Sequence, residues 1–462
     1  MPHWGIAWAI GPNYNLDIDD PRAKQAFEAI ATAKTLAVNG PAHEREYIEA
    51  MAVRYSADPK ADRAALAREY SRAMGDLSKR HPDDLDAATL YAESLMNLRP
   101  WKLWSLDGRP ADATDGIIAV LESVLRRSPN HVGANHYYIH TLEASRNPSR
   151  ALASAKRLET LAPAAGHLVH MPAHIYARTG DHAAAARANL AGAEADRIFL
   201  KNKAADNFYG LAYYAHNLHF LADSHMMQGR LTDARAAAAE LAERLEPHAT
   251  MMPNMESMIV APVSVLLRFG RHDEILQLPA PPNDRPVMTA WWRFARGVSL
   301  ARTGRIEQAG TEREALTRAT GAVPESALFG GTGLERARTI LTLAQTVLDA
   351  RIAWARGDQA ASVGLWTKAA AAADLVPYDE PPIWFYPVRE SLGAALLLQG
   401  RTEDAERVFR EDLDHYPRNP RSLFGLHEAL VRQGKTIDAE WVRNARDEAW
   451  KNAEVPLALS DF

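Results

Sequence analysis

The chain has 462 residues, 53 Lys+Arg against 58 Asp+Glu for a net charge of -5, and 47% hydrophobic with 24% charged residues. That balance excludes a disordered chain and gives no basic stripe for tracking a phosphate backbone, so nucleic acid is not an expected partner. With no cysteine there is no disulfide and no thiolate ligand or nucleophile, and any metal must be held by His, Asp or Glu.

At the N-terminus, Trp4-Gly5-Ile6-Ala7-Trp8 reads as the middle of a helix whose start lies upstream. It lacks the basic flank and length of a signal peptide, and no apolar run reaches the roughly 18 residues of a membrane span. The expectation is a cytoplasmic protein that does not cross a membrane. Beyond this point almost every segment has apolar residues three and four apart and is rich in Ala, Leu, Arg and Glu, which predicts helix throughout and no strand. Irregular helix pairs are expected over 1–127, around 42–79 and 83–127. Histidine-rich repeats follow over 128–246, then further repeats over 247–462 with a loop inserted near 320–333, all in one continuous array.

The predicted breaks are short turns at Asn147-Pro148, Gly180, Gly229, Gly270, Gly304, Gly357, Gly400 and Gly434. Several are spaced by about 34 residues, the period of a helix–turn–helix solenoid. An alanine follows most turns at a fixed offset (Ala185, Ala234, Ala309, Ala405, Ala439) and marks where two helices must approach closely. Gly393, Gly400, Ala405, Phe409 and Pro417 fall at the spacings of a tetratricopeptide repeat, and the chain resembles that family most strongly from about residue 130 to 450. The resemblance implies an all-α, right-handed α-α superhelix of about ten helix pairs, whose first helices line a concave groove that binds peptides or partner proteins. Asn135-His136-Tyr137-Tyr138-Ile139-His140 and Gly166-His167-Leu168-Val169-His170-Met171-Pro172-Ala173-His174 are similar to segments of a bacterial subfamily, and bring no reaction with them.

Nine of the 17 histidines lie between His136 and His225. His136, His170 and His219 stand at the same distance before Ala151, Ala185 and Ala234. A second slot holds His140, His174 and Asp223, a third His167 and His216, and a fourth Glu143. On a helix these slots span an arc of about 80°, so each helix aims them one way. The expected ligands of a transition metal (zinc, copper or iron) are therefore His136, His140, His167, His170, His174, His216 and His219, with Glu143 and Asp223 as catalytic base or supporting carboxylates. Pro172 is expected to start or kink a helix and disturb the face shared by His167 and His170. His182 and His225 fall outside the arc and read as surface residues.

Tyr137, Tyr138, Tyr176, Tyr209, Trp101 and Trp104 stand near these helices as substrate walls or ordinary packing. The segment Asp379-Glu380-Pro381-Pro382-Ile383-Trp384-Phe385-Tyr386-Pro387-Val388-Arg389 is rich in proline and aromatics, and Arg389 and Glu390 are placed facing the groove. Phosphate-binding loops, dinucleotide fingerprints and a nucleophile-elbow serine are missing from the sequence. Two functions remain open at this point. One is a metal-dependent enzyme acting on a small molecule or peptide in the groove, its hydrolytic or oxidative class unresolved; the other is a protein-interaction scaffold with incidental histidines. For the histidine set itself, the alternatives to a metal site are a proton-relay or substrate-binding patch and pure structure.

Overall fold

The computed structural model describes residues 1–204 and 207–462, and it is all-α apart from one small ladder. The chain falls into two compact units, Met1–Leu161 and Ala162–Phe462. That boundary lies inside the stretch read as histidine-rich repeats. In each unit, consecutive helices pack antiparallel in pairs and each pair packs on the next, the tetratricopeptide-like solenoid arrangement expected from the sequence. None of the described helices is long and apolar enough to cross a membrane.

The turn chemistry explains the pairing. Gly400 and Gly434, for example, have φ of +76° and +74°, a left-handed conformation that ends one helix and reverses the chain. The alanines that follow the turns, Ala185, Ala234, Ala309, Ala405 and Ala439, are all buried. There a larger side chain would hold the paired helices apart.

The first unit keeps its own core, built on residues such as Ile30, Met51, Tyr70, Met74 and Leu77. It ends with the pair Val132–Leu142 and Leu152–Leu161, joined by a single 3-10 turn at Pro148–Ala151.

The second unit does what a simple open array does not: its late helices return to its early ones. The amide of Glu454 donates to Gly229 O at 3.0 Å, and the Glu454 carboxylate accepts from Thr232 N and Oγ1, both at 2.9 Å. Arg421 Nη2 donates to Arg268 O at 2.6 Å. Trp450 packs against Gly229 and donates its indole N–H to Val455 O, whereas Trp441 is exposed. The pairing of Glu380 with His174 likewise brings the segment around Asp379–Pro387 against the first helices of the unit.

The inserted loop differs from expectation in one respect. Helix Ile306–Ala322 runs further than expected, and the remainder carries a two-residue antiparallel ladder, Leu328–Phe329 with Glu335–Arg336. Thr332 N and Oγ1 tie this loop to Asp379 at 3.1 Å each, and Gly330 N donates to Ser257 Oγ. A strand this short leaves no periodicity in the sequence, so only its partners reveal it.

Candidate metal centre

In the second unit the chain breaks between helices Gly166–His170 and Pro172–Arg178, because Pro172 has no N–H to continue the ladder. The backbone at Met171 stays near helical values, φ -49° and ψ -35°, so His170 and His174 still lie one turn apart on one face. Gly192 lets the neighbouring helix His182–Leu200 approach: a Cβ there would meet His170 Cβ at 2.9 Å. This close passage brings Asn189 to His170. The next helix, Ala215–Met227, follows a π-turn at Gly210–Tyr214 and supplies His216.

These elements bring three imidazoles together. His170 Nε2 lies 2.7 Å from His174 Nε2 and 3.1 Å from His216 Nε2, and one nitrogen from each ring lies within 4.8 Å of the others. His170 and His174 are each only 1% exposed, and His216 is half-buried. The opposite edges of two rings are held. His170 Nδ1 meets Asn189 Oδ1 at 2.6 Å, and His174 Nδ1 meets a carboxylate oxygen of Glu380. An amide carbonyl and a carboxylate both accept, so the two Nδ1 atoms carry the protons and the Nε2 lone pairs face inward. Phe220, also buried, lies against all three rings at 5.4–6.1 Å between centroids.

Residues in one slot on parallel neighbouring helices point in parallel directions about 8–10 Å apart, and so do not meet. Convergence requires one side chain leaning forward and one leaning back. His170 and His174 of one repeat therefore meet His216 of the next, and not His219, which shares the slot of His170. His167 flanks the cluster, 6.2 Å from the His170 ring and 5.0 Å from Tyr213.

His219 and Asp223 face a second space, a small cavity whose walls include Trp291, Phe329, Pro381 and Phe385. Burial pushes the Asp223 carboxyl up to about 7 and the His219 imidazolium down to about 4. The cavity adjoins the histidine cluster through the chain itself, since His219 follows His216 by one turn and Pro381 follows Glu380.

In the first unit, helix Val132–Leu142 and its C-cap carry His136, His140 and Glu143 on one face. The rings of His136 and His140 are 4.9 Å apart, and His140 Nδ1 lies 2.9 Å from Glu143 Oε1. Tyr14 and Trp101 pack on His140 at 5.1 and 5.8 Å. Burial lowers the His140 pKa to about 3 and holds His136 well below its usual value, so both rings are neutral and each keeps a nitrogen lone pair that a metal could use.

Several sequence expectations land elsewhere. Tyr138 donates to Glu122 at 2.6 Å across two helices, and Trp104, in the loop before helix Thr114–Arg127, donates to Thr141 O at 2.7 Å. Arg389 pairs with Asp374 at 2.6 Å, and Glu390 is buried in an ion pair with Arg268. His182 and His225 are half-buried. Sequence reasoning missed Asn189 and Glu380. Asn189 had no signal, whereas Glu380 stood inside the proline- and aromatic-rich segment already singled out.

No family model matches the chain, and no curated protein matches it. Among solved structures, the human IFIT1 dimer with m7Gppp-AAAA aligns over 94% of this chain and 87% of that one, at 11% identity and a TM-score of 0.36. The APC/C hetero-tetramer Cut9-Hcn1 aligns over 96% and 88%, at 10% identity and a TM-score of 0.33. The fold and geometry of this chain define an all-α helical-repeat protein with a buried cluster of three imidazoles.

Proposed function

We propose that His170, His174 and His216 bind a first-row transition metal, zinc being the first choice, and that the protein is a metal-dependent enzyme. The observation that carries this reading is the convergence of three Nε2 atoms whose rings are oriented from behind by Glu380 and Asn189. Inward-facing lone pairs repel one another, and a shared cation turns that repulsion into bonding of about 2 Å per nitrogen. A carboxylate or carbonyl on the far nitrogen of a metal-bound imidazole is the usual way of fixing its tautomer and raising its basicity. Three imidazoles leave a coordination position open, where a metal would supply Lewis acidity or a bound hydroxide at neutral pH.

The adjoining cavity is the natural place for a small molecule or short peptide. Within it, Asp223 titrates close to neutral pH and so suits proton transfer better than an exposed carboxylate would. In the first unit, His136, His140 and Glu143 form a second, smaller donor set of the same kind, for which a metal is likewise proposed.

Elemental analysis of untagged protein tests the reading. Near-stoichiometric metal is expected in the wild type, with loss in a His170→Ala, His216→Ala double variant. Wild-type protein that takes up no zinc, copper or iron on reconstitution overturns it. The alternative, an interaction scaffold, has one observation in its favour: Ile437 and Trp441, one turn apart on the last long helix, are each 74% exposed. Specific partner capture that survives the histidine substitutions and is lost on Trp441→Ala would support that reading.

A further inference from the structure

The small cavity beside His219 is built wholly from the second unit. His219, Asp223 and Met226 line it from successive turns of helix Ala215–Met227, and Ser257 and Ser264 line it from the next helical segments, Glu256–Ile259 and Ala261–Arg268. Asp223 is 7% exposed, and its carboxyl makes no hydrogen bond or ion pair among the described residues. The nearest full cation, Arg268, is held by Glu390. A buried carboxyl with no partner is costly, so its surroundings ask for a group that would answer it.

The rest of the polar lining says which kind. Ser257 Oγ donates to Asn254 O at 3.1 Å and accepts from Gly330 N at 3.3 Å. Ser264 Oγ donates to Val260 O at 3.4 Å and accepts from the Trp291 indole at 3.1 Å. The Gly331 amide is turned to Asp379. The hydroxyl and amide protons around the cavity are thus spent inside the protein, and beyond one N–H of the neutral His219 ring only acceptors remain. Such a lining suits a ligand that brings donors, the reverse of an anion site. Its other walls include Trp291, Phe329 and Phe385, all buried. Phe329 and Phe385 lie 5.3 and 5.8 Å from the Trp291 ring and are inclined to it by 42° and 75°, so the three rings stand around a space instead of forming one stack. The space measures about 30 Å³. One water needs roughly 10–15 Å³ of such room, so about two or three non-hydrogen atoms fit.

We infer that this cavity binds the ammonium end of a small primary amine, with the charge on the Asp223 carboxylate and the carbon next to it among Trp291, Phe329 and Phe385. An ammonium supplies three donors and a charge to a lining of acceptors, and aromatic rings around a carboxylate favour an organic cation over water. A metal ion fits less well, because neither Asp223 nor His219 belongs to any group of three metal donors among the described residues. The inference names the class of molecule for the space proposed above to hold a substrate; it rests on that reading of the cavity and not on a bound metal.

The test is a ligand-observed NMR titration of the full chain, metal-free and zinc-loaded, with ethylammonium, ethanol and acetate at pH 8, alongside Asp223→Asn. Ethylammonium is expected to bind the metal-free chain saturably, about ten-fold or more tighter than ethanol, with acetate not bound. Asp223→Asn should weaken it by about ten-fold or more. In the wild type the affinity should rise by about ten-fold from pH 6 to pH 8 as Asp223, pushed up to about 7, becomes ionised. Over that range His219 stays neutral and the Tyr416 phenol, raised by burial to about 12, keeps its proton. Ethylammonium binding no tighter than ethanol overturns the inference, and so does equal affinity in wild type and Asp223→Asn. Affinity that does not change between pH 6 and pH 8 also overturns it, and decides alone if the variant does not fold. Because the metal-free chain is titrated, loss of this site leaves the metal reading standing, and a chain that takes up no metal leaves this site standing.

Discussion

The carboxylate of Glu380 rests on Nδ1 of His174, joining a proline-rich segment late in the second unit to a helix at its start. Both residues are almost fully buried, at 4% and 1% exposure. This contact fixes which nitrogen of His174 faces its neighbours, so the late segment sets the chemistry of the early helix.

Replacing Glu380 by Gln keeps the shape and an acceptor but removes the charge behind the imidazole. Metal affinity should fall by about 10- to 100-fold while the helical circular-dichroism signal stays as in the wild type. Competition against a chelator of known affinity measures it. An unchanged affinity would mean that Glu380 only fills space.

Metal binding to the native state alone should stabilise it. At free zinc near 1,000 times the dissociation constant, the gain is about 4 kcal/mol, and Tm should rise accordingly. The rise is expected to vanish in His170→Ala and His216→Ala and to persist in His225→Ala, since the half-buried His225 stands outside the cluster. Differential scanning calorimetry with and without zinc reads all four proteins.

Asp223 and His219 should impose opposite pH dependences on stability. The native Asp223 carboxyl stays protonated up to about 7 while the unfolded one ionises near 3.8, so the native state holds the extra proton and this residue's contribution falls as pH rises across that window. His219 is neutral in the native state down to about 4 while the unfolded imidazole protonates below about 6.5, so its contribution falls as pH drops through that range. The two slopes oppose each other in the wild type. Relative to the wild type, Asp223→Asn should make the slope of stability with pH more positive between about 4 and 7, and His219→Gln should make it more negative between about 4 and 6.5. Denaturant titrations of metal-free protein across this range measure both, and identical slopes in the two variants would refute the assignment.

Phe409 is held between two glycines of adjacent helices: a Cβ on Gly393 would meet its ring at 2.6 Å, and one on Gly425 would come closer still. Gly425→Ala should therefore overpack the interface and cost about 1–3 kcal/mol, although alanine is the better helix former. Phe409→Ala should cost about 3–5 kcal/mol by leaving a cavity. Urea unfolding of each single variant gives the values. A Gly425→Ala protein more stable than the wild type would show that the ring can move aside.

The sequence by itself determined the class of fold and the residues worth watching. Helical periodicity, glycine turns at a repeating interval and small residues after each turn are local properties, written into consecutive residues and readable without the rest of the chain. They placed Ala185, Ala234 and Ala405 in the core and marked His170, His174 and His216 as candidates. The tertiary structure decided which side chains meet. Equivalent slots on neighbouring helices point in parallel, so repeat register alone paired His170 with His219, whereas packing pairs it with His216. The return of late helices onto early ones, which carries Glu380 to His174 and walls the cavity of His219 and Asp223, depends on small rotations accumulated over many repeats. No short stretch of residues encodes that sum.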